Sequence, residues 1–376
     1  MKTFISLFII SILAGMMNIH SQTREFLYVG TFSVRGSEGI YIFSFDRANK
    51  KFELVGTAHS FNDPTFLTIS PDRKYLFAAN RQGVDTAKNR GSVTSFAIDS
   101  KTGLLKEINS ISSFGNSPCH INISPDEKSL FVSHYRDGSL TVLSVGKKGE
   151  LKELTDSVIH HGSSIDKQRQ ETSHAHSTQF VPGTSNIITA DLGSDKLWMY
   201  HFNKGKLSKP AFLVIDAFPG SGPRHFDFFK TQPWIYVAEE LSSTVSTFSL
   251  DLNQKSAIQI HRISTLPDTF TQANTVADIH FSPDQKFLYV SNRGHNSIAI
   301  LKVDATTGKL TLVGHQSTLG KTPRNFYMDS KGEFILVANQ DSDDIVFFLR
   351  DSETGLLKET GINLQVPSPV CLKMGI

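Results

Sequence analysis

The segments SPDRKYLFAAN (residues 70–80), SPDEKSLFVSH (residues 124–134) and SPDQKFLYVSN (residues 282–292) are near-copies of one another. Weaker copies begin at Val181, Phe229 and Asp329, so the unit recurs about every 50 residues. In the clearest copies Pro and Asp favour a tight turn, and a run of β-branched and aromatic residues follows. The repeat therefore predicts a turn and a strand at regular intervals along the chain.

Further strands flank each copy. Another apolar strand begins six residues upstream, at Pro64, Pro118, Pro223 and Pro323. A third strand, such as GSVTSFAID from Gly91, lies downstream, and turns such as KTGLL lead into a fourth. Four antiparallel strands per repeat, without helical periodicity, predict the blade of a β-propeller.

The two ends of the chain each supply part of one blade. PSPVCLKM (residues 367–374) matches a first strand with nothing after it, and FLYVG (residues 26–30) matches a second strand with nothing before it. Pairing these N- and C-terminal strands closes the ring and removes its open edges. We therefore predict an all-β, seven-bladed β-propeller that forms one domain over residues 22–376.

Residues 1–21 are predicted to be a signal peptide. Lys2 precedes an apolar run at residues 4–17, which is shorter than the roughly 20 residues of a membrane span, and Ser21 offers a cleavage point. We expect export to the periplasm or the medium, with no stable membrane insertion after cleavage. An uncleaved N-terminal anchor is the alternative.

The composition excludes several classes of protein. Thirty-eight basic and 36 acidic residues give a formal charge of +2 without a Lys/Arg tract, so no nucleic-acid partner is expected. Two cysteines cannot form a disulfide-rich scaffold, and Cys119 and Cys371 are predicted to be free and buried in separate blades. The length suggests two or three domains, but the repeat favours one. A monomer is expected.

The propeller topology collects polar side chains at one mouth of the central channel. Aligned starts of the innermost strands are Thr65, Cys119, His176, Arg224, Ala277, Arg324 and Val370. The positions after them are Phe66, His120, Ser177, His225, Asp278, Asn325 and Cys371. The second strands end at Arg81, Tyr135, Leu192, Glu240, Arg293 and Gln340. Two long loops, residues 160–176 and 265–278, are predicted to reach the same mouth.

These residue types suit the binding and hydrolysis of an anionic small molecule. Arg binds carboxylate or phosphate, and His beside Glu transfers protons near neutral pH. The simpler alternatives are that Arg224 binds loop carbonyls and that Glu240 is solvated or pairs with Arg293, with Glu239 as a competing acid. His174 and His176 should face opposite sides, which disfavours a two-His metal site, and the mouth lacks a clear set of carboxylate ligands. We therefore predict no metal, and we expect no cofactor.

Several motifs resemble the lactonase family of seven-bladed propellers, which includes propeller-type 6-phosphogluconolactonases and the 3-carboxy-cis,cis-muconate lactonising enzyme. They include HAHS, GSGPRH, ELSSTV, SNRGH and PRNF, and the resemblance covers essentially all of the chain after residue 21. It implies a catalytic group of four residues: His176, Arg224, Glu240 and Arg293. Around them we expect substrate-binding residues at His120, His174, His225, Asp278, Arg324, Asn325 and Arg169.

The resemblance implies a hydrolase that opens a sugar-acid lactone in the manner of 6-phosphogluconolactonase. Arg224, together with Arg324, would hold the anionic group of the substrate. His176 or Glu240 would act as general base or acid, and Arg293 would stabilise the oxyanion. Two alternatives stay open, a carboxymuconate-type lactonising cycloisomerase and a non-enzymatic exported propeller that binds a glycan or a protein. The predicted export argues against a phosphorylated cytoplasmic substrate.

Overall fold

Seven antiparallel sheets form a closed ring in the computed structural model, which describes residues 25–60, 62–82 and 90–375. The innermost strands β4, β8, β12, β17, β21, β25 and β29, whose bounds follow, contact one another in that cyclic order, and β29 returns to β4. The described ranges contain no helix. The predicted seven-bladed β-propeller is therefore confirmed, whereas the predicted signal peptide lies outside the described residues.

Both ends of the described chain lie in blade 1, and blades 2 and 3 follow it along the sequence. Blade 1 consists of β1 (Glu25–Thr31), β2 (Gly39–Asp46), β3 (Lys51–His59) and, innermost, β29 (Pro369–Gly375). Blade 2 consists of β4 (Pro64–Ile69), β5 (Tyr75–Asn80), β6 (Ser92–Ile98) and β7 (Leu105–Ser112). Blade 3 consists of β8 (Pro118–Ile123), β9 (Ser129–His134), β10 (Ser139–Val145) and β11 (Leu151–Ile159).

Blade 4 departs from the repeat because its outer strand is split. It consists of β12 (Ala175–Phe180), β13 (Asn186–Asp191), β14 (Lys196–Asn203), β15 (Lys206–Leu207) and β16 (Leu213–Asp216). Both outer pieces pair with β14. Pro210 lies between them and cannot donate a ladder hydrogen bond, which accounts for the interruption.

The remaining three blades follow the predicted four-stranded pattern. Blade 5 consists of β17 (Pro223–Phe228), β18 (Trp234–Glu239), β19 (Thr244–Asp251) and β20 (Ser256–Ser264). Blade 6 consists of β21 (Thr275–Phe281), β22 (Phe287–Arg293), β23 (Ser297–Val303) and β24 (Leu310–Ser317). Blade 7 consists of β25 (Pro323–Met328), β26 (Phe334–Asn339), β27 (Asp344–Arg350) and β28 (Leu357–Gln365).

The ring closes as predicted, with the first described strand paired to the last. In blade 1, β1 and β29 are antiparallel, with Leu27 opposite Met374 and Val29 opposite Leu372. Each terminal strand thereby obtains the hydrogen-bond partners that an open edge would lack.

The Ser-Pro-Asp turns have the predicted role. In the first copy, the Ser70 hydroxyl donates to Asp72 Oδ1 over 2.7 Å and accepts from the Tyr75 amide over 3.0 Å. The same bonds recur at residues 124–129 and 282–287. The Asp side chain therefore stabilises the turn. The residue after it has a left-handed conformation, as Arg73 does with φ of 61°, and this conformation reverses the chain into the next strand.

A second repeated contact joins neighbouring blades. The hydroxyl of Tyr289 in blade 6 donates to the carbonyl of Gly355 in the turn of blade 7, over 2.7 Å. Tyr28 and Tyr236 make the same bond to Gly103 and Gly308. A Cβ on Gly355, where φ is +75°, would lie 2.5 Å from Phe287, so the turn packs directly on the core of the preceding blade.

We expect Gly355→Ala to lower the free energy of unfolding by more than Gly361→Ala. Both glycines have a left-handed φ, which costs a Cβ-bearing residue about 1 kcal/mol, but a Cβ on Gly361 has nothing within 4 Å. Overlap with Phe287 should add about 1–3 kcal/mol at Gly355. Urea denaturation of the two variants measures the difference, and equal losses would contradict the packing role of the turn.

Candidate active site

A cavity of about 220 Å³ lies at one mouth of the central channel. Its wall contains the predicted strand starts Thr65, Cys119, His176, Arg224, Arg324 and Val370, and the predicted strand ends Arg81, Tyr135, Glu240 and Arg293. Phe66, Ser117, Arg169, His225 and Asn325 complete the wall. The polar cluster predicted from the aligned repeats is therefore present. The side chains of all four predicted catalytic residues line this cavity.

Glu240 is held by three arginines. Its Oε2 accepts from Arg224 Nε over 2.8 Å and lies 2.9 Å from Arg293 Nη2, and its Oε1 accepts from Arg169 Nη2 over 2.6 Å. Burial by itself would raise the pKa of the Glu240 carboxyl, but the charges of Arg293, Arg224 and Arg169 outweigh it and hold that pKa far below its usual range. Glu240 is thus an ion-pair partner, as one of the simpler alternatives proposed.

Arg224 uses two of its donors inside the protein. Besides the bond to Glu240, its Nη1 donates to the Ala277 carbonyl over 2.5 Å, and 2% of the side chain is exposed. This arrangement matches the alternative in which Arg224 binds backbone carbonyls. Arg293 is more accessible, with 13% of its side chain exposed, and its Nη2 also donates to the Val276 carbonyl.

Arg324 and Arg81 form a second, uncompensated group of positive charges. Arg324 makes no hydrogen bond or ion pair with the described residues, and Arg81 bonds to the Ser117 hydroxyl. Both guanidinium groups lie 5.3 Å from the ring of Phe32. Burial and then the charges of Arg224 and Arg293 lower the pKa of Arg324 to about 9. An anion bound between these side chains would relieve that repulsion.

The cavity wall as a whole is strongly positive. It contains five arginines against one glutamate, an excess of four charges. The near-neutral composition of the chain conceals this local excess. Such a wall favours a ligand with a carboxylate or a phosphate.

His176, the other predicted base, is a buried and neutral imidazole. Its side chain is buried and its Nδ1 has no hydrogen-bond partner among the described residues. Burial, followed by the charge of Arg224 and of the other nearby arginines, Arg324 and Arg293, lowers its pKa well below 6.5. The imidazole is therefore neutral at physiological pH and able to accept a proton.

Three of the predicted substrate-binding residues lie outside the cavity wall. His120 and Asp278 line the next layer of the channel, where His225 Nδ1 lies 2.7 Å from Asp278 Oδ1. His174 is absent from the cavity wall, and its ring stacks on Tyr135 at 4.4 Å, while His176 contacts the same Tyr135 ring edge-on at 5.9 Å. The other four predicted residues, His225, Arg324, Asn325 and Arg169, do line the cavity.

The two long loops differ in what they contribute. The loop after β11 reaches the cavity through Arg169. The second predicted loop ends earlier than expected because β21 begins at Thr275, and residues 265–274 add no side chain to the cavity wall. Asn274 instead bonds to Ser243 and Asn292, which fixes this loop to the tops of its own and the neighbouring blade.

The cysteines and the competing acid have other roles. Both cysteines are free, but Cys119 is only partly buried and lines the cavity, which corrects the prediction that both are buried. Burial raises the pKa of the Cys119 thiol to about 12, so it is a poor nucleophile.

Glu239 is buried away from the cavity, where it accepts from Ser246 and Arg262.

Three residues at or beside the cavity, Arg81, Tyr135 and Phe32, were not predicted to be site residues. Arg81 and Tyr135 were aligned as strand ends, which was the signal that could have identified them. The Tyr135 hydroxyl accepts from Arg169 Nη2 over 3.2 Å and thereby helps to position the arginine that reaches Glu240.

No cluster of three or more His, Cys, Asp or Glu side chains suited to a metal occurs in residues 25–60, 62–82 and 90–375. Within the same ranges no helix is long and apolar enough to cross a membrane.

The chain is similar to known lactonases over most of its length. The family model described as lactonase, 7-bladed beta-propeller, matches residues 26–374. The chain is 38% identical over 355 residues to a 6-phosphogluconolactonase of Formosa agariphila, covering 93% of this chain and 99% of that protein. It is 32% identical over 352 residues to a 6-phosphogluconolactonase of Bacillus subtilis, covering 94% and 99%.

A solved structure is similar as well. The periplasmic gluconolactonase of Pseudomonas aeruginosa superposes with a TM-score of 0.86 at 31% identity, covering 94% of this chain and 99% of that one. The similarity extends over all seven blades.

Proposed function

The chain belongs to the lactonase family of seven-bladed β-propellers and is a lactonase, and we propose that its substrate is a sugar-acid lactone carrying a carboxylate or a phosphate. The observation that carries this proposal is the unpaired guanidinium of Arg324 beside Arg81 at the rim of a cavity with four excess positive charges. A neutral ligand would leave those charges uncompensated.

We assign the anionic group of the substrate to Arg324 and Arg81. Neither side chain has a carboxylate partner among the described residues, whereas Arg224, Arg293 and Arg169 share Glu240. We therefore give the two sets of arginines different roles. One set binds the substrate's charge, and the other surrounds the reacting carbonyl.

The proposed reaction is the addition of water to the lactone carbonyl. His176 Nε2 takes a proton from the attacking water, and Arg293 stabilises the oxyanion of the tetrahedral intermediate. The ring C–O bond then breaks, and the protonated imidazole returns its proton to the departing ring oxygen. The product is a hydroxy acid, which ionises at neutral pH.

Glu240 has a positioning role in this proposal. A carboxylate bonded to three guanidinium groups is a very weak base, as its depressed pKa indicates. It holds Arg224 and Arg293 in fixed orientations against their mutual repulsion, so that Arg293 is preorganised for the oxyanion.

Export remains part of the proposal. The apolar segment at residues 4–17 and the periplasmic location named for the Pseudomonas relative support it. Because phosphorylated sugar lactones are cytoplasmic metabolites, export favours a lactone with a carboxylate over one with a phosphate.

A pH-stat assay of the protein lacking residues 1–21 tests the function. The panel compares plain, carboxylated and phosphorylated aldonolactones, with a carboxymuconate added for the cycloisomerase alternative. We expect proton release with the anionic lactones at a kcat/KM at least tenfold above that for the plain lactone. Preference for the plain lactone would contradict an anionic substrate, and turnover of only the carboxymuconate would favour the cycloisomerase.

Arg324→Gln should reduce this discrimination. We expect KM for the anionic lactone to rise by about tenfold to a hundredfold, with kcat changing little, because the interaction is present in both ground and transition states. The kinetic constants for the plain lactone, measured in parallel, should stay within about threefold and serve as the control. An equal loss for both substrates would place the anionic group elsewhere.

A further inference from the structure

Two buried ring nitrogens at the base of the cavity lack hydrogen-bond partners. They are Nδ1 of His176 and Nε2 of His225, and neither bonds to any atom of the described residues. The two rings lie 5.3 Å apart, centroid to centroid, at 70°. Buried polar atoms are normally hydrogen-bonded, so a pair of neighbouring exceptions calls for an explanation.

We propose that His225 and Asp278 are a positioning pair that sets the tautomer of His176. In this arrangement His176 Nδ1–H donates to His225 Nε2 through one buried water, and His225 Nδ1–H donates to the Asp278 carboxylate. The inference rests on the proposed role of His176 as the base in lactone hydrolysis. It reassigns His225 and Asp278 from substrate binding to support of the base.

The state of Asp278 determines the state of His225. Burial by itself would raise the pKa of Asp278, but His280 and His225 outweigh it and hold that pKa well below 3.8. Asn325 Nδ2 and the Phe326 amide also donate to its Oδ2. The carboxylate is therefore charged and can only accept, so the proton shared with His225 lies on Nδ1.

His225 is neutral and can accept at its other nitrogen. Burial, followed by the charge of Arg224, lowers its pKa to about 4. With Nδ1 protonated, Nε2 carries a lone pair that needs a donor. Two imidazoles border this ring, His176 at 5.3 Å and His120 at 5.7 Å. His176 is the better match because its Nδ1 is also buried and unpaired.

The arrangement has a consequence for catalysis. If His176 carries its hydrogen on Nδ1, the lone pair is on Nε2, the nitrogen left for a substrate water. When His176 gains a proton, the positive charge is stabilised through His225 by Asp278. That stabilisation opposes the charges of Arg224, Arg293 and Arg324, which lower the pKa of His176. His280, which lies 3.1 Å from the other Asp278 oxygen, completes the charged groups around the pair.

Long-range ¹H–¹⁵N NMR of histidine-labelled protein tests the tautomers directly, with His176 assigned from His176→Gln. We expect His176 and His225 both to be protonated at Nδ1 and unprotonated at Nε2 near pH 7.5. His174, whose Nδ1 bonds to the Tyr135 carbonyl, gives an internal reference for this tautomer. His261 and His315, whose Nε2 atoms bond to carbonyls, give references for the other. Protonation of His176 at Nε2 would overturn the proposal, as would a hydrogen bond from His120 to His225.

The steady-state kinetics of Asp278→Asn provide a second test. An amide can donate to His225 Nδ1 and reverse both tautomers, so we expect kcat to fall by about 10²-fold with KM within about threefold and the acid limb of the pH profile displaced. Asp227→Asn is the matched control. Asp227 is a partly buried carboxylate two residues after His225 on β17; it accepts from the Phe228 and Phe281 amides and does not bond to His225.

A folded Asp278→Asn enzyme with unchanged kcat and pH profile would overturn the positioning role. If that variant does not fold, the spectrum of the unmodified protein decides the question alone. The NMR result does not depend on turnover, so the tautomers can be as proposed even if no lactone is hydrolysed. Failure of the function and failure of this inference are thus distinguishable.

Discussion

Replacement of Arg293 by alanine is expected to lower kcat/KM for the preferred lactone by about 10²–10³-fold, mostly through kcat. Arg293 and Arg224 share Oε2 of Glu240, and Arg293 is the more exposed of the two at 13% against 2%. It is therefore the guanidinium better placed to meet an oxyanion. Its donors would interact more strongly with the tetrahedral intermediate than with the lactone carbonyl, so the loss should fall on the chemical step.

Arg262→Ala is the control for the loss of an arginine–glutamate pair. Arg262 Nε in blade 5 donates to the buried carboxylate of Glu239 over 2.9 Å, outside the cavity, and 27% of the Arg262 side chain is exposed. Its removal should reduce thermal stability while leaving kcat/KM within about threefold. If Arg293→Ala behaves like Arg262→Ala, Arg293 is structural and the oxyanion is stabilised by another group.

The charge states of Glu240 and His176 favour His176 as the general base, a choice that the sequence left open. Sequence analysis assigned the base to His176 or Glu240. Three guanidinium groups around Glu240 favour its charged form so strongly that it holds no useful affinity for a proton. The same arginines lower the pKa of His176, which leaves it neutral and available. An anionic substrate bound at Arg324 would weaken that repulsion and make His176 a stronger base in the complex.

The fold was accessible from the sequence because its repeats are regular. The Ser-Pro-Asp turns mark the start of a second strand, and the half-blades at residues 26–30 and 367–374 fix both the number of blades and the closure. Because the blades are related by rotation, aligned positions meet at the channel mouth. This is why His176, Arg224, Glu240 and Arg293 could be placed together from spacing and family motifs.

Other features depend on side-chain packing that no repeat specifies. The ring of Phe32 lies 5.3 Å from the guanidinium groups of both Arg81 and Arg324, and no aligned repeat position predicts these contacts. The alignment also could not distinguish the cavity wall from the layer below it, where His120 and Asp278 lie. Phe66, His225 and Asn325 occupy the same aligned position as His120 and Asp278 but also line the cavity wall. Bulges in the innermost strands shift the register locally, so aligned positions need not lie in the same layer.

His176→Gln is expected to lower kcat by about 10³-fold, within the range typical for the loss of a general base. Glutamine fills much of the same volume and can still hydrogen-bond at the base of the cavity, so the fold and KM should change little. His201→Gln, at an exposed histidine in blade 4 whose ring stacks on Phe212, controls for the loss of an imidazole elsewhere in the protein. A His176→Gln enzyme within about tenfold of the parent kcat would exclude His176 as the base.

The pH profile identifies the base independently of the size of that loss. A base works only when deprotonated, and the pKa of His176 lies well below 6.5 in the free protein. kcat/KM, which reports the free enzyme, should therefore stay constant as the pH is lowered to about 6.5 and fall only below that value. The acid limb should disappear from the residual activity of His176→Gln and persist in Glu240→Gln. If the acid limb instead disappears in Glu240→Gln and persists in His176→Gln, Glu240 is the base despite its three arginine partners.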